Sequence, residues 1–207
     1  MRKSSNSDPV GTDKKLIAAA AALLDAGGES AVTLRAVGNA VGVSHNAPYK
    51  HFKDRSALLA AVAIEDFTML TSVFVGVGQS SSAPLDKLRQ ALAEVADYGH
   101  KHPSRYRLLF SDPGIAAKGG ALEEAAMQSF AALASIIAEC QSSHNLLEMP
   151  NAALTSLLYA TVHGLIDLKA SGRMRSEKGF TSVDASVELL ISLLSQGVLK
   201  STASKPS

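Results

Sequence analysis

The chain is 207 residues long, 46% hydrophobic and 19% charged, with a formal net charge of +1. That composition is enough for a sizeable buried core, and it excludes a disordered charged chain and a general polyanion binder. A single cysteine, Cys140, excludes an intramolecular disulfide framework; with no apolar run near the ~18 residues of a membrane span and no apolar signal core at the N-terminus, a cytoplasmic protein away from membranes is expected.

Residues 1–11 are polar and are expected to form a disordered tail. Thr12 or Asp13 can cap a first helix over 14–26, with Leu16, Ala20, Leu23 and Leu24 on one face and Gly27-Gly28 as its stop. Thr33 offers its hydroxyl to a second helix, whose Leu34, Val37 and Val41 fall at spacings of three and four before Gly42 ends it. Ser44 is a further N-cap candidate, for a helix through Lys50 followed by Phe52 as an anchor. Two short helices around a tight turn, with the first packed across them, outline a helix-turn-helix, in which the latter of the pair enters the DNA major groove. That helix presents His45, Asn46, Tyr49 and Lys50, and from Thr33 to Ser56 the bases Arg35, Lys50, Lys53 and Arg55 face the single acid Asp54. Residues 1–56 carry eight Lys/Arg against five Asp/Glu, while the remainder carries twelve against fourteen. The same pattern also fits a solvated helical hairpin with ordinary surface charge. Pro48 lies inside the third helix, lacks an N–H and disfavours a helical Ala47, which leaves open whether the helix is tightened or starts late with Asn46 as its cap.

Asp54 can cap a fourth helix carrying Leu58, Val62 and Phe67 to about residue 75, after which the Gly/Ser-rich run 76–84 reads as a connection without the lysine of a phosphate loop. A helix over 85–102 follows, with Leu88, Leu92, Val95 and Tyr98 on one stripe and Pro103 as its end, then a short helical stretch over 104–110 and a loop to Gly120. A long apolar helix over 121–142 carries Met127, Phe130, Leu133, Ile136 and Ile137. Two final helices, 151–170 and 181–200, are apolar over more than one stripe. Burying so wide a face calls for partners on both sides, and a second copy supplies them, the alternative being the middle of a monomeric bundle. The contact is expected at Leu154, Leu158, Val162, Gly164, Leu165, Val187, Leu190, Ile191 and Leu194. Gly164, about 1 kcal/mol worse than alanine inside a helix, suggests close backbone approach. No segment alternates like a strand, so the expectation is an all-α protein of about nine helices: a tail at 1–11, a helix-turn-helix unit at 12–56, a helical ligand-binding and dimerisation domain at 57–200 and a tail at 201–207.

The run Gly42-Val43-Ser44, Ala47-Pro48-Tyr49-Lys50-His51-Phe52-Lys53-Asp54-Arg55 and Leu58-Leu59 contains Tyr-x-His-Phe-x-x-Arg-x-x-Leu and resembles the DNA-binding signature of the TetR/AcrR family of bacterial transcriptional regulators. With the preceding helix the likeness covers about the first quarter of the chain, and Pro48 departs from it. The stretch from Leu157 through His163-Gly164 to Arg173 resembles the C-terminal domain of a subgroup with a Trp-x-x-x-His-Gly pattern, Tyr159 standing at the Trp position. In such proteins the last two helices of each subunit build a four-helix dimer interface. The resemblance implies a homodimeric repressor that binds a palindromic double-stranded operator, is released by a small-molecule effector and needs no cofactor. DNA contacts are then expected from Thr33, Arg35, Ser44, His45, Asn46, Ala47, Tyr49, Lys50, His51 and Lys53, with His45 and Asn46 toward base edges, Tyr49 and Lys53 on phosphates, and Thr33 assisting. A mostly apolar effector is expected among Phe67, Phe74, Tyr98, Phe110, Met127, Phe130 and His163.

A different class, a helical-bundle metal-dependent enzyme or metal sensor, would use Cys140/His144 and His100/His102. These pairs lack CxxC or HExxH spacing, and the chain has no Gly-x-Ser-x-Gly elbow, no dinucleotide fingerprint and no Walker loop. No enzyme activity is expected.

Overall fold

Leucine and alanine at three- and four-residue steps build α1 (Thr12–Gly27), which buries Leu16, Ala20 and Leu24. Neither Thr12 nor Asp13 caps it: Gly11 occupies the N-cap place without a side-chain bond, and Gly28, at φ 69°, turns the chain at the other end. Helix α2 (Leu34–Val41) starts where the Ala36 N–H donates to Thr33 Oγ1 at 3.0 Å and stops at left-handed Gly42, φ 74°. The Ala57 N–H donates to Asp54 Oδ1 at 2.8 Å and opens α3 (Arg55–Gln79). Then follow α4 (Pro84–Lys101), α5 (Pro103–Ser111), the one-turn α6 (Pro113–Ala116), α7 (Gly120–Ser142), α8 (Asn151–Ala170) and α9 (Val183–Ala203). This computed structural model describes residues 11–203, with side chains as far as 195, and no strand occurs among them. The tails expected at 1–11 and 201–207 lie outside the described residues, apart from Gly11 and the end of α9.

Two breaks fall elsewhere than the glycines and prolines suggested. Helix α3 runs past Gly76 and Gly78 because its carbonyl end is held: Lys87 Nζ on α4 donates to Gly78 O at 2.9 Å and to Glu139 Oε1 on α7 at 2.8 Å. A nearly buried ammonium on the negative end of the helix dipole compensates for the glycines. Pro103, expected only to end a helix, opens α5 at a position where its missing N–H costs nothing.

Helices α3 and α7 pack on each other more extensively than any other pair, and α4, α5, α8 and α9 close around them into one continuous apolar core. Both central helices are long and apolar enough to cross a membrane by length and composition, and here they form the middle of the bundle. Helix α3 also packs on α1, so one rigid element reaches from the N-terminal unit into the bundle. Close backbone approach occurs at Gly99 rather than at Gly164. A Cβ at Gly99 would lie 2.6 Å from Ile166 Cγ2, whereas one at Gly164 meets nothing within 4 Å.

Candidate nucleic-acid interface and ligand cavity

The segment after α2 is not the α-helix expected over 44–50. A single turn over 45–47 leads into a 3₁₀ turn at Pro48–Lys50. The cause is Pro48: with no N–H at that position, Ser44 O instead accepts the Ala47 N–H at 2.9 Å, and Ala47 O accepts the Lys50 N–H at 3.1 Å. Ala47 nevertheless keeps right-handed helical angles, and neither Ser44 nor Asn46 makes a side-chain cap bond. The ring of Pro48 is buried against α2, where a Cβ at Gly38 would lie 3.0 Å from Pro48 Cγ. Gly38 thus makes room for Pro48, and the shortened segment is seated on α2.

Seating the segment on Pro48 and Phe52 turns its polar residues outward. Thr33, Arg35, Ser44, His45, Asn46, Tyr49, Lys50, His51 and Lys53 are exposed, and Ala47 is half-buried. Tyr49 is 60% exposed, more than an aromatic without a partner ordinarily is. Arg35, Lys50 and Lys53 form no ion pair among the described residues, which leaves their charge available to an anion. Arg55 is engaged differently: its Nε donates to Val32 O at 2.8 Å and its Nη2 to Glu29 O at 2.5 Å, tying the start of α3 to the loop before α2.

Inside the bundle lies a cavity of about 470 Å³ between α3, α5, α7 and α8. Of the residues expected there, Phe67, Phe74, Phe110, Met127, Phe130 and His163 line it. Tyr98 does not: Val95 takes the cavity-facing position on α4, and Tyr98, one turn on, lies buried beneath the Arg105 guanidinium at 5.8 Å. Tyr159, Ser129 and Glu123 line it too; Tyr159 stood out in the sequence only as the residue at the Trp position of the Trp-x-x-x-His-Gly pattern, and nothing in the sequence pattern singled out Ser129 or Glu123. His163 packs between the tilted rings of Tyr159 and Phe110, with ring centroids at 4.0 and 4.3 Å, and its Nδ1 is hydrogen-bonded to the Tyr106 hydroxyl. Burial pulls the His163 pKa down to about 4, so the ring is neutral at pH 7, and burial raises those of Tyr106 and Tyr159.

An ionic junction ties this cavity wall to α1. Arg105 on α5 forms a bidentate pair with Asp66 of α3, its Nε donating to Oδ2 at 2.9 Å, and its Nη1 reaches Asp25 Oδ2 of α1 at 3.4 Å. His102 Nδ1 donates to the same Asp25 oxygen at 2.8 Å. Burial works most strongly against the Arg105 charge, but the hydrogen bond and charge of Asp66 outweigh it and its pKa is raised.

The terminal helices divide differently from the expected dimer contact. Leu154, Leu158, Val162, Val187, Ile191 and Leu194 are buried within the chain itself, because they face α4, α7 and each other's helix. Gly164 is exposed, and Leu165 and Leu190 are half-buried. What stays uncovered is a second stripe, with Leu157 and Leu168 on α8 at 45% and 38% exposure and Leu189 and Leu193 on α9 at 60% and 58%.

The metal alternative loses its geometry. Helix α7 ends at Ser142, so His144 leaves the face of Cys140, takes φ 53° and lies 3.7 Å from Glu148. The buried Cys140 thiol donates to Pro84 O at 3.0 Å, burial pushes its pKa up to about 11, and His102 is taken by Asp25. Among the described residues no group of three or more metal-ligating side chains comes together.

The sequence profile described as "Tetracyclin repressor-like, C-terminal domain" matches residues 88–194, half of the chain, and that of "Bacterial regulatory proteins, tetR family" matches residues 16–62. The chain belongs to the tetR family. No curated protein matches its sequence. Among solved structures, a protein of unknown function from Rhodococcus sp. RHA1 is 24% identical, with a TM-score of 0.78 over 94% of this chain and 98% of its own. A TetR-family transcriptional regulator from Pectobacterium atrosepticum is 18% identical, with a TM-score of 0.69 over 95% and 96%. The fatty acid degradation regulator FadR from Bacillus halodurans is 12% identical, with a TM-score of 0.69 over 91% and 97%. At these identities the structures share the fold. As a tetR-family member the protein is a DNA-binding transcription regulator built from an N-terminal helix-turn-helix and a C-terminal helical domain. Arg105 and Asp66 gave no signal in the sequence, since they sit 39 positions apart and only the fold joins them.

Proposed function

We propose that this tetR-family chain acts in the cytosol as a homodimeric repressor, holding a palindromic operator through the Thr33–Lys53 region of each subunit and releasing it when a small molecule enters the cavity. The observation that carries this reading is the pairing of an exposed, unneutralised cationic surface (Arg35, Lys50, Lys53) with the exposed polar set His45, Asn46 and Tyr49 on one short segment. Cations without protein partners suit phosphates, and His45 and Asn46 at the start of the segment suit base edges. The exposed leucines of α8 and α9 favour a second copy, and Gly164 beside them leaves space for close approach. The place of Tyr159 and His163 in the cavity wall supports the likeness to the Trp-x-x-x-His-Gly subgroup.

The cavity and the DNA-facing unit share two helices. Phe67 and Phe74 of α3 and Leu109 and Phe110 of α5 form its wall, and the same helices carry Asp66 and its partner Arg105, whose guanidinium reaches Asp25 on α1. A ligand that separates α3 from α5 therefore moves α1 and changes the spacing of the two DNA-reading segments. It does so only if it binds the non-operator state more tightly.

A mobility-shift titration on the DNA upstream of the coding gene tests the proposal. A complex of two subunits per duplex is expected, with affinity falling as roughly the fifth power of salt if Arg35, Lys50 and Lys53 of both subunits each neutralise a phosphate. Binding that is indifferent to salt, or to sequence, contradicts it.

A further inference from the structure

The polar groups around the cavity are few, and several have no protein partner among the described residues. The Tyr106 hydroxyl has no acceptor but His163 Nδ1 among the described residues, so it donates there and leaves the His163 proton on Nε2, which has no protein partner. The hydroxyls of Ser129, on the buried side of α7, and of Tyr159 make no hydrogen bond among the described residues either. Among the described residues no Lys or Arg lines the cavity, and the one formally charged residue there, Glu123, is exposed. Elsewhere the wall is aromatic and aliphatic, with Phe67, Phe74, Phe110 and Phe130 contributing rings.

We infer that the cavity selects an uncharged molecule with an aromatic ring and one hydroxyl or carbonyl group, and rejects carboxylates. This rests on the effector-site reading above and names the chemical class. A volume of about 470 Å³ admits a ligand of two or three rings. Such a ring packs edge-to-face on the phenylalanines, and its oxygen takes the proton of His163 Nε2 or meets Ser129 and Tyr159. A carboxylate would lose its hydration with no cation to replace it and with the Glu123 carboxylate in the same lining, and neutral donors alone do not offset that loss. An ammonium would find only the solvated Glu123, whose attraction water screens.

The test is calorimetric titration of the full-length protein with four compounds of one shape: biphenyl, 4-phenylphenol, biphenyl-4-carboxylate and biphenyl-4-ylmethylammonium. The phenol is expected to bind at least about ten times more tightly than each ion and several times more tightly than biphenyl. His163→Phe keeps a ring between Tyr159 and Phe110 and should reduce the phenol to the affinity of biphenyl without weakening biphenyl, and Ser129→Ala, a smaller change, provides a second readout of the hydroxyl preference. A carboxylate that binds as tightly as the phenol, a phenol no better than biphenyl, or binding by none of the four overturns the inference. Operator binding is followed on the same samples. A phenol that fills the cavity and leaves operator affinity unchanged supports the selectivity and contradicts ligand release.

Discussion

Gly99→Ala probes a close helix contact in the bundle. The added methyl would sit 2.6 Å from Ile166 Cγ2 and 3.1 Å from Tyr106 Cδ2, against 3.4–4 Å for an ordinary contact. Ile166 is 4% exposed and branched at Cβ, so its methyl cannot swing aside, and Tyr106 is equally buried. Overpacking of this kind costs about 1–3 kcal/mol, and a methyl blocked by a stiff neighbour falls in the upper part of that range. Replacing glycine inside a helix returns about 1 kcal/mol, leaving a net loss of about 1–2 kcal/mol and a fall in Tm of roughly 2–8 °C for a chain of this size. Gly164→Ala, at an exposed position with open space around it in the subunit, should lack the penalty. Urea or thermal melts at one fixed protein concentration measure both, and Ile166→Leu, which carries no methyl on Cβ, should recover part of the Gly99→Ala loss. A Gly99→Ala protein as stable as its parent would refute the packing described for α4, α5 and α8.

His163 predicts an acid-sensitive fold. Its pKa is about 4 in the folded chain against 6.5 unfolded. Between those values the unfolded chain binds the extra proton, so its contribution is complete above pH 6.5 and is lost as pH falls toward 4, on the order of 3 kcal/mol. His163→Phe should flatten that part of the stability–pH curve. Arg105→Gln leaves Asp66, 2% exposed, as a buried carboxylate without its cation and should cost about 3–5 kcal/mol, while an added Asp66→Asn should recover much of it; both are read from denaturant melts. Leu189→Glu and Gly164→Glu lie on exposed positions, so each should leave the subunit folded by circular dichroism and turn a dimer into a monomer in sedimentation. A parent protein that sediments as a monomer at micromolar concentration contradicts the proposed pairing.

Helical periodicity and capping residues made most of the fold legible. Thr33, Gly42 and Asp54 mark ends that the structure places where the sequence puts them, because each acts within four residues of itself. The end of α3 was not legible, since Lys87 and Glu139 hold it from other helices. Pro48 announced a disturbed recognition segment, but its seat on Gly38 depends on how α2 crosses it. In the cavity, six aromatic, sulfur-containing or histidine side chains could be named because such residues gather around apolar pockets, while the phase of α4 turned Val95 rather than Tyr98 toward it. For α8 and α9 a continuous leucine run does not say which stripe faces inward. The core took Leu154, Leu158 and Val162, and Leu157, Leu168, Leu189 and Leu193 stayed outside.

Salt-dependent binding of alanine variants to an operator duplex and to a scrambled duplex measures most directly whether the Thr33–Lys53 surface reads DNA as proposed. Lys53→Ala should weaken binding to both duplexes alike and reduce the log–log salt slope by about one unit for each phosphate that is no longer neutralised. His45→Ala or Asn46→Ala should cost about 1–3 kcal/mol on the operator and much less on the scrambled duplex. A Lys53→Ala protein with altered sequence preference, or His45→Ala and Asn46→Ala proteins that both keep the parent's preference, would contradict the orientation assigned to this segment.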